Sequence, residues 1–189
     1  MQSKKPLSVI IAATLLLMAC TSTYVSTKAD GTKENSVRLK ESKSVLITTP
    51  KDGSYQDKLY NGSGVSVAQK TDTSFSRYAA HVAIYPAEFH SLKELNDTIA
   101  KERYDYIVIP TITHWEHRAT AWSGLPSRAS IKLTILDAQS GKEISSTVVE
   151  GKSASFTFLA TSPEDLLPGL IDNYVDSLYG QKSVGAIEQ

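Results

Sequence analysis

The run Tyr106-Ile107-Val108-Ile109 constrains this chain more than any other stretch. Four consecutive apolar residues are too few for a helix, and successive side chains of a strand point to opposite faces. A strand that is apolar on both sides must be covered on both faces, as an inner strand of a layered α/β domain is. The flanking patterns agree. Val45-Leu46-Ile47-Thr48-Thr49, closed by Pro50 and the turn residues Asp52-Gly53, reads as a short buried strand, and His81 to Tyr85 as another. Ile131, Leu133 and Ile135 alternate with Lys132 and Thr134, and the turn from Asp137 to Lys142 closes a hairpin onto Ile144 to Val149.

Three helices are expected between and after these strands. A polar loop through Gly62-Ser63-Gly64 leads to one that carries Val67, Thr71, Phe75 and Tyr78 on one face. Ser91 to Glu94 matches a capping box ahead of Leu92, Leu95 and Ile99. Ser162, Pro163 and Asp165 form the start of the third, whose stripe runs through Leu166, Leu167, Leu170, Ile171, Tyr174, Val175 and Leu178 to a Gly180 cap. Pro168 is expected to kink it. The resulting order, β-α-β-α-β-β-β-α, predicts a single α/β domain with helices packed on a mixed sheet. Right-handed crossovers make the first three strands mostly parallel, with the hairpin extending the sheet antiparallel.

The amino terminus carries an address. Met1 to Lys5 is a short positive segment, and Leu7 to Leu17 is an apolar run too short for a bilayer span of about 20 residues. Leu17-Met18-Ala19-Cys20 follows, with the only cysteine of the chain at its end. It resembles the bacterial lipobox, in which the cysteine sulfur is lipidated and the chain is then cut before it. The resemblance implies membrane attachment through Cys20, and Thr21 after it implies the outer membrane over the inner. The expected organisation is a signal peptide over 1–19, a lipidated cysteine and flexible tether over 20–43, a periplasmic domain over 44–180 and a loose tail over 181–189.

Charge and motifs exclude several functions. Lysines and arginines balance aspartates and glutamates at 20 each, and loss of Lys4 and Lys5 with the leader leaves the acidic residues ahead. A nucleic-acid binder needs concentrated basic surface, so no nucleic-acid partner is expected. One cysteine rules out an intramolecular disulfide and a multi-cysteine metal site. Gly151-Lys152-Ser153 lacks the earlier glycine of a phosphate-binding loop, since position 146 is Ser, and no serine is flanked as in a nucleophile elbow. No cofactor or metal is expected.

His114-Trp115-Glu116-His117-Arg118 is the most chemically dense stretch. In an extended strand His114 and Glu116 share one face and His117 takes the other, so two at most converge, too few for a metal. His114 and Glu116 are therefore a candidate polar site. The loop expected from Trp115 to Arg128 is long for its connection, and Trp115, Arg118, Trp122 and Arg128 are its candidate interaction residues, since Trp and Arg dominate binding hot spots; the alternative is that Trp115 and Trp122 plug the end of the core. The leading functional expectation is a non-catalytic envelope module that binds another envelope protein. The alternative is an envelope hydrolase or small-ligand-binding protein using His114, Glu116 and Arg118.

The segment from His114 to Gly124 resembles the signature of an uncharacterised family of Gram-negative lipoproteins, known as a domain of unknown function (4823). Lys51-Asp52-Gly53-Ser54-Tyr55, Tyr60-Asn61-Gly62-Ser63-Gly64, Asp165-Leu166-Leu167-Pro168 and Tyr174 to Tyr179 agree with it. His117 stands where that family more usually has an acidic residue. The resemblance implies a location and a fold but no reaction. The element order also resembles the amino-terminal domain of the TolB translocation protein and lipoprotein activators of peptidoglycan synthases, an analogy at the level of fold.

Overall fold

The computed structural model describes residues 23–28, 37–95, 103–118, 125–153 and 161–181. Eight strands are present among them: β1 (Thr23–Lys28), β2 (Ser44–Thr49), β3 (Ser54–Tyr55), β4 (Lys58–Leu59), β5 (His81–Glu88), β6 (Tyr106–Glu116), β7 (Arg128–Asp137) and β8 (Glu143–Lys152). Six of them form one sheet in the order β1-β8-β7-β6-β2-β5, while β3 and β4 pair separately. β2 lies parallel to both β5 and β6, and β6, β7, β8 and β1 are successively antiparallel. The chain is thus a mixed α/β domain of the expected kind.

The helices α1 (Ser63–Phe75) and α2 (Leu167–Leu178) pack side by side on one face of the sheet. Val67, Phe75, Leu170, Ile171 and Val175 meet Val45, Ile47, Val108, Ile131, Leu133 and Ile135 there, all deeply buried. Polar groups tie the helices together at their rim: Arg77 bridges Asp172 and Asp176, and the Ser74 and Tyr78 hydroxyls donate to Asp172 and Asp176. The opposite face has a small second core at its β2 end, where Leu95 and Tyr104 cover Leu46, Ile107 and Leu136. Ile107 and Val108 therefore point to opposite cores, as a strand buried on both faces requires.

Several expectations change. The segment read as a tether supplies β1, which pairs with β8 over six residues. β8 would otherwise be a bare edge, and pairing through the backbone needs no apolar pattern in the added strand. β6 runs eleven residues instead of ending at Ile109. Pro110 is tolerated because β2 pairs only as far as Val108, so at Pro110 the strand has no neighbour on that side. Pro168 does not kink a helix. Pro163–Leu166 is a separate 3-10 turn with the Ser162–Asp165 capping box, and α2 begins at Leu167. Pro168 thus sits in the first turn, where its missing donor costs nothing. Leu92–Leu95 is likewise a 3-10 turn, and Glu94 takes the His90 amide instead of closing a box with Ser91. Ile99, the signal peptide, Cys20 and the tail after 181 lie outside the described residues.

Tyr179 follows α2 with its ring stacked on Tyr78 and edge-on to Phe75. Its hydroxyl is buried without a hydrogen-bond partner among the described residues, and burial, ahead of the nearby Tyr106 and Glu41, pushes the phenol up to about 12. A buried donor that has lost water without gaining a partner costs stability. Tyr179→Phe is therefore expected to stabilise the fold by up to about 1 kcal/mol, read as a higher midpoint in thermal denaturation. A lower midpoint than wild type contradicts this.

Candidate functional site

The end of the sheet where β6 leaves and β7 enters gathers the polar residues singled out in the sequence. A bulge between Ile112 and His114 adds one residue to β6 relative to β7. That extra residue reverses the alternation beyond it. Trp115 turns to the helix-covered face opposite Ala129, while His114 and Glu116 turn to the open face opposite Ser130 and Arg128.

On the open face His114 Nε2 lies 3.0 Å from Glu116 Oε2, and Arg118 forms an ion pair with the other carboxylate oxygen. Glu116 is almost fully buried, which a carboxylate tolerates only when charges and donors surround it. The Arg118 guanidinium also bonds the Tyr55 hydroxyl and lies over the Tyr55 ring, which meets His114 edge-on. The pair β3–β4, unforeseen in the sequence, positions Tyr55. His117 is not part of the cluster; it is exposed, and its amide donates to the Tyr60 hydroxyl.

Beside this cluster lies an open groove of about 670 Å³, lined by Thr113, His114, Arg128, Ser130, Glu150 and Lys152. Thr113 and Ser130 share a 2.8 Å hydroxyl contact, and Ser130 donates to Glu150. A second groove of about 590 Å³ follows the stretch of β6 that β2 leaves unpaired, between His90 and His114. Nucleophilic catalysis needs a hydroxyl within hydrogen-bond reach of its base. Among the described residues no hydroxyl bonds His114, and none of the clusters of His, Cys, Asp or Glu has the three members a metal requires.

The candidate interaction residues separate. Trp115 is fully buried and packs on Gly53, so it offers no contact surface. Of the two readings open for Trp115, interface or core, its burial fits the core. The bulge, invisible in composition, is what turned it inward. Arg118 and Arg128 are exposed at the sheet end, and Trp122 lies outside the described residues. The loop itself is shorter than expected, because Trp115 and Glu116 belong to β6 and Arg128 to β7.

The Gly62-Ser63-Gly64 turn, a place where many α/β folds bind ligands, is already filled. Asp52 Oδ2 accepts from the Gly62 amide at 3.0 Å, and Oδ1 accepts from the Gly64 amide at 2.8 Å. The carboxylate stands where a ligand anion would, against the positive end of α1. Among the described residues no helix is long and apolar enough to cross a membrane.

The fold is similar to that of PelC from Paraburkholderia phytofirmans, solved as a dodecamer. A single-substitution variant of it has a TM-score of 0.59 at 12% identity, covering 85% of this chain and 100% of that one. A second crystal form gives 0.58 at 12%, covering 86% and 99%. Protein XCC0632 from Xanthomonas campestris gives 0.47 at 11%, covering 78% and 87%. No curated protein matches the chain. Over residues 37–178 the sequence matches the family described as a domain of unknown function, DUF4823, and the chain belongs to that family.

Proposed function

We propose that this chain is a lipid-anchored, non-catalytic module of the cell envelope. Its domain faces the periplasm from the outer membrane and binds another envelope protein. The observation that carries the reading is Leu17-Met18-Ala19-Cys20 after a charged and then apolar leader, with the chain's one cysteine at the attachment point. Three acyl chains at Cys20, at about 0.8 kcal/mol per buried CH₂, would hold the protein on the membrane essentially permanently. A binding role is supported by Arg118, whose guanidinium stays about two-fifths exposed over Tyr55 while the polar groups of His114 and Glu116 are taken up by one another. The PelC chains of similar fold were solved as dodecamers, so a second copy of this chain belongs among the partners to be tried.

Cys20→Ala is expected to abolish incorporation of radioactive palmitate and to leave an uncut precursor, while the wild type is labelled. Crosslinking and pull-down of the acylated protein from its own envelope then identifies the partner. Equal labelling of both chains overturns the anchor.

A further inference from the structure

The register of β1 gives the anchored domain an orientation. Thr23, the first residue of β1, lies opposite Lys152; Lys152 lies opposite Arg128; and Arg128 lies opposite Glu116. These four residues form one row across the end of the sheet. Cys20 precedes Thr23 by three residues, and a fully extended chain spans at most roughly 10 Å over that distance. The far end of the same strands, the β7–β8 turn, is ten residues of β7 away, roughly 30 Å along the sheet. The row of Lys152 and Arg128 is therefore the part of the domain tied closest to the acyl chains, on the anchor reading proposed above, which this inference rests upon.

The charge at that end is one-sided. Arg128 and Lys152 are both exposed and directly opposite each other in an antiparallel ladder, where like charges destabilise. Neither side chain has an ion pair or hydrogen bond among the described residues. The carboxylate of the row, Glu116, is buried and committed to Arg118 and His114. Glu150 is exposed but sits two rows further along β8, opposite Val25, where its carboxylate accepts from Ser130. Glu164 and Asp165 belong to the turn on the helix-covered side, where Asp165 bonds Ser162. Leu125, three residues before Arg128, is 48% exposed. The far end differs, because there Lys43 is paired with Asp105, and Asp137 and Glu143 flank the turn.

We propose that this end of the sheet rests on the membrane surface, where Arg128 and Lys152 bind the phosphates of anionic phospholipid headgroups and Leu125 enters the interface. An anion between the two cations relieves their repulsion. Each cation near an anionic surface raises membrane affinity about fivefold. A basic pair with a neighbouring exposed apolar side chain is the composition of an interfacial contact. The membrane then covers Arg128 and Lys152 and leaves to a partner Arg118, on the Tyr55 side of that end, and the β7–β8 turn, which points away from it.

The test uses the full acylated protein in vesicles. Acylation consumes the Cys20 thiol, so Leu125→Cys and Gln139→Cys each carry one nitroxide, near and far from the anchor. In phosphatidylethanolamine–phosphatidylglycerol vesicles the label at 125 is expected to be shielded severalfold from a water-soluble nickel chelate and open to oxygen. The label at 139 is expected to stay fully accessible to the chelate. Arg128→Glu with Lys152→Glu should remove the shielding at 125, and Arg128→Gln with Lys152→Gln should weaken it, with palmitate labelling unchanged. Vesicles of phosphatidylcholine alone should shield 125 less. Equal chelate access at 125 and 139 in an acylated sample, or shielding untouched by charge reversal or by lipid charge, overturns the orientation while leaving the anchor standing. Absence of palmitate on the wild type overturns both.

Discussion

Gly64→Ala is expected to destabilise the domain by about 3 kcal/mol or more, lowering its melting temperature by roughly 6–12 °C. A Cβ at Gly64 would lie 2.1 Å from the Pro50 carbonyl oxygen and 3.2 Å from Asp52 Oδ1. The obstacle at 2.1 Å is backbone at the end of β2, and it has no rotamer to escape into. Movement of the loop is blocked as well. Asp52 holds the amides of Gly62 and Gly64, and the Ser63 hydroxyl accepts from the Gly53 amide at 2.8 Å. Relief thus requires α1 to draw back from β2, which uncovers Val67 and Phe75 in the main core. Gly62→Ala is the control. Gly62 has a φ of +86° with open space around it, so its cost is the left-handed backbone alone, about 1–2 kcal/mol. Thermal denaturation followed by circular dichroism separates the two. A Gly64→Ala variant that melts no lower than Gly62→Ala contradicts the close approach.

That approach was not readable from the residue string, and the reason is general to this chain. Elements whose stability comes from their own periodicity were legible. β2, the β7–β8 hairpin and the stripe of α2 each carry an apolar pattern of the right period and clear stop signals. Elements fixed by something distant in sequence were not. β1 is a strand because β8 offers an edge, and its Thr- and Ser-rich residues announce nothing. The second half of β6 hides behind Pro110, which is admissible only because β2 has stopped pairing by then. The Gly62-Ser63-Gly64 turn carries no sign in the string that Asp52, ten residues earlier, fills it.

The site was legible in its members but not in its orientation. His114 and Glu116 are two apart in a strand, so a shared face followed from the alternation, and the structure joins them at 3.0 Å. Arg118 was reached only as part of a dense stretch, and Tyr55 was missed because a two-residue strand leaves no periodic signal. The bulge decided the rest. A one-residue slip exchanges the faces of every side chain beyond it, and no composition rule announces where one occurs.

Trp115 is where that exchange has the largest energetic consequence, and Trp115→Ala is expected to cost about 3–5 kcal/mol, or roughly 6–20 °C in melting temperature. It is the largest fully buried side chain described, and its Cβ would lie 2.7 Å from a Cβ placed on Gly53. Such contact leaves the surrounding backbone little room to collapse into the space an alanine vacates. The cavity therefore persists and adds its cost to the lost transfer energy. The indole nitrogen makes no hydrogen bond among the described residues, so the ring's contribution is its packed volume. Trp115→Phe should accordingly lose much less than Trp115→Ala. Arg118→Ala supplies the contrast. Its side chain is about two-fifths exposed, but its loss leaves the buried Glu116 carboxylate with His114 alone, so it should cost about 1–3 kcal/mol, still less than Trp115→Ala. An interface residue behaves in the opposite way, leaving the melt unchanged while partner recovery falls. If Trp115→Ala melts with the wild type and partner recovery collapses, Trp115 is a contact residue and the burial described for it is wrong. If it melts far below wild type while Arg118→Ala folds normally and recovers less partner, the indole is core and the binding surface is the guanidinium beside it.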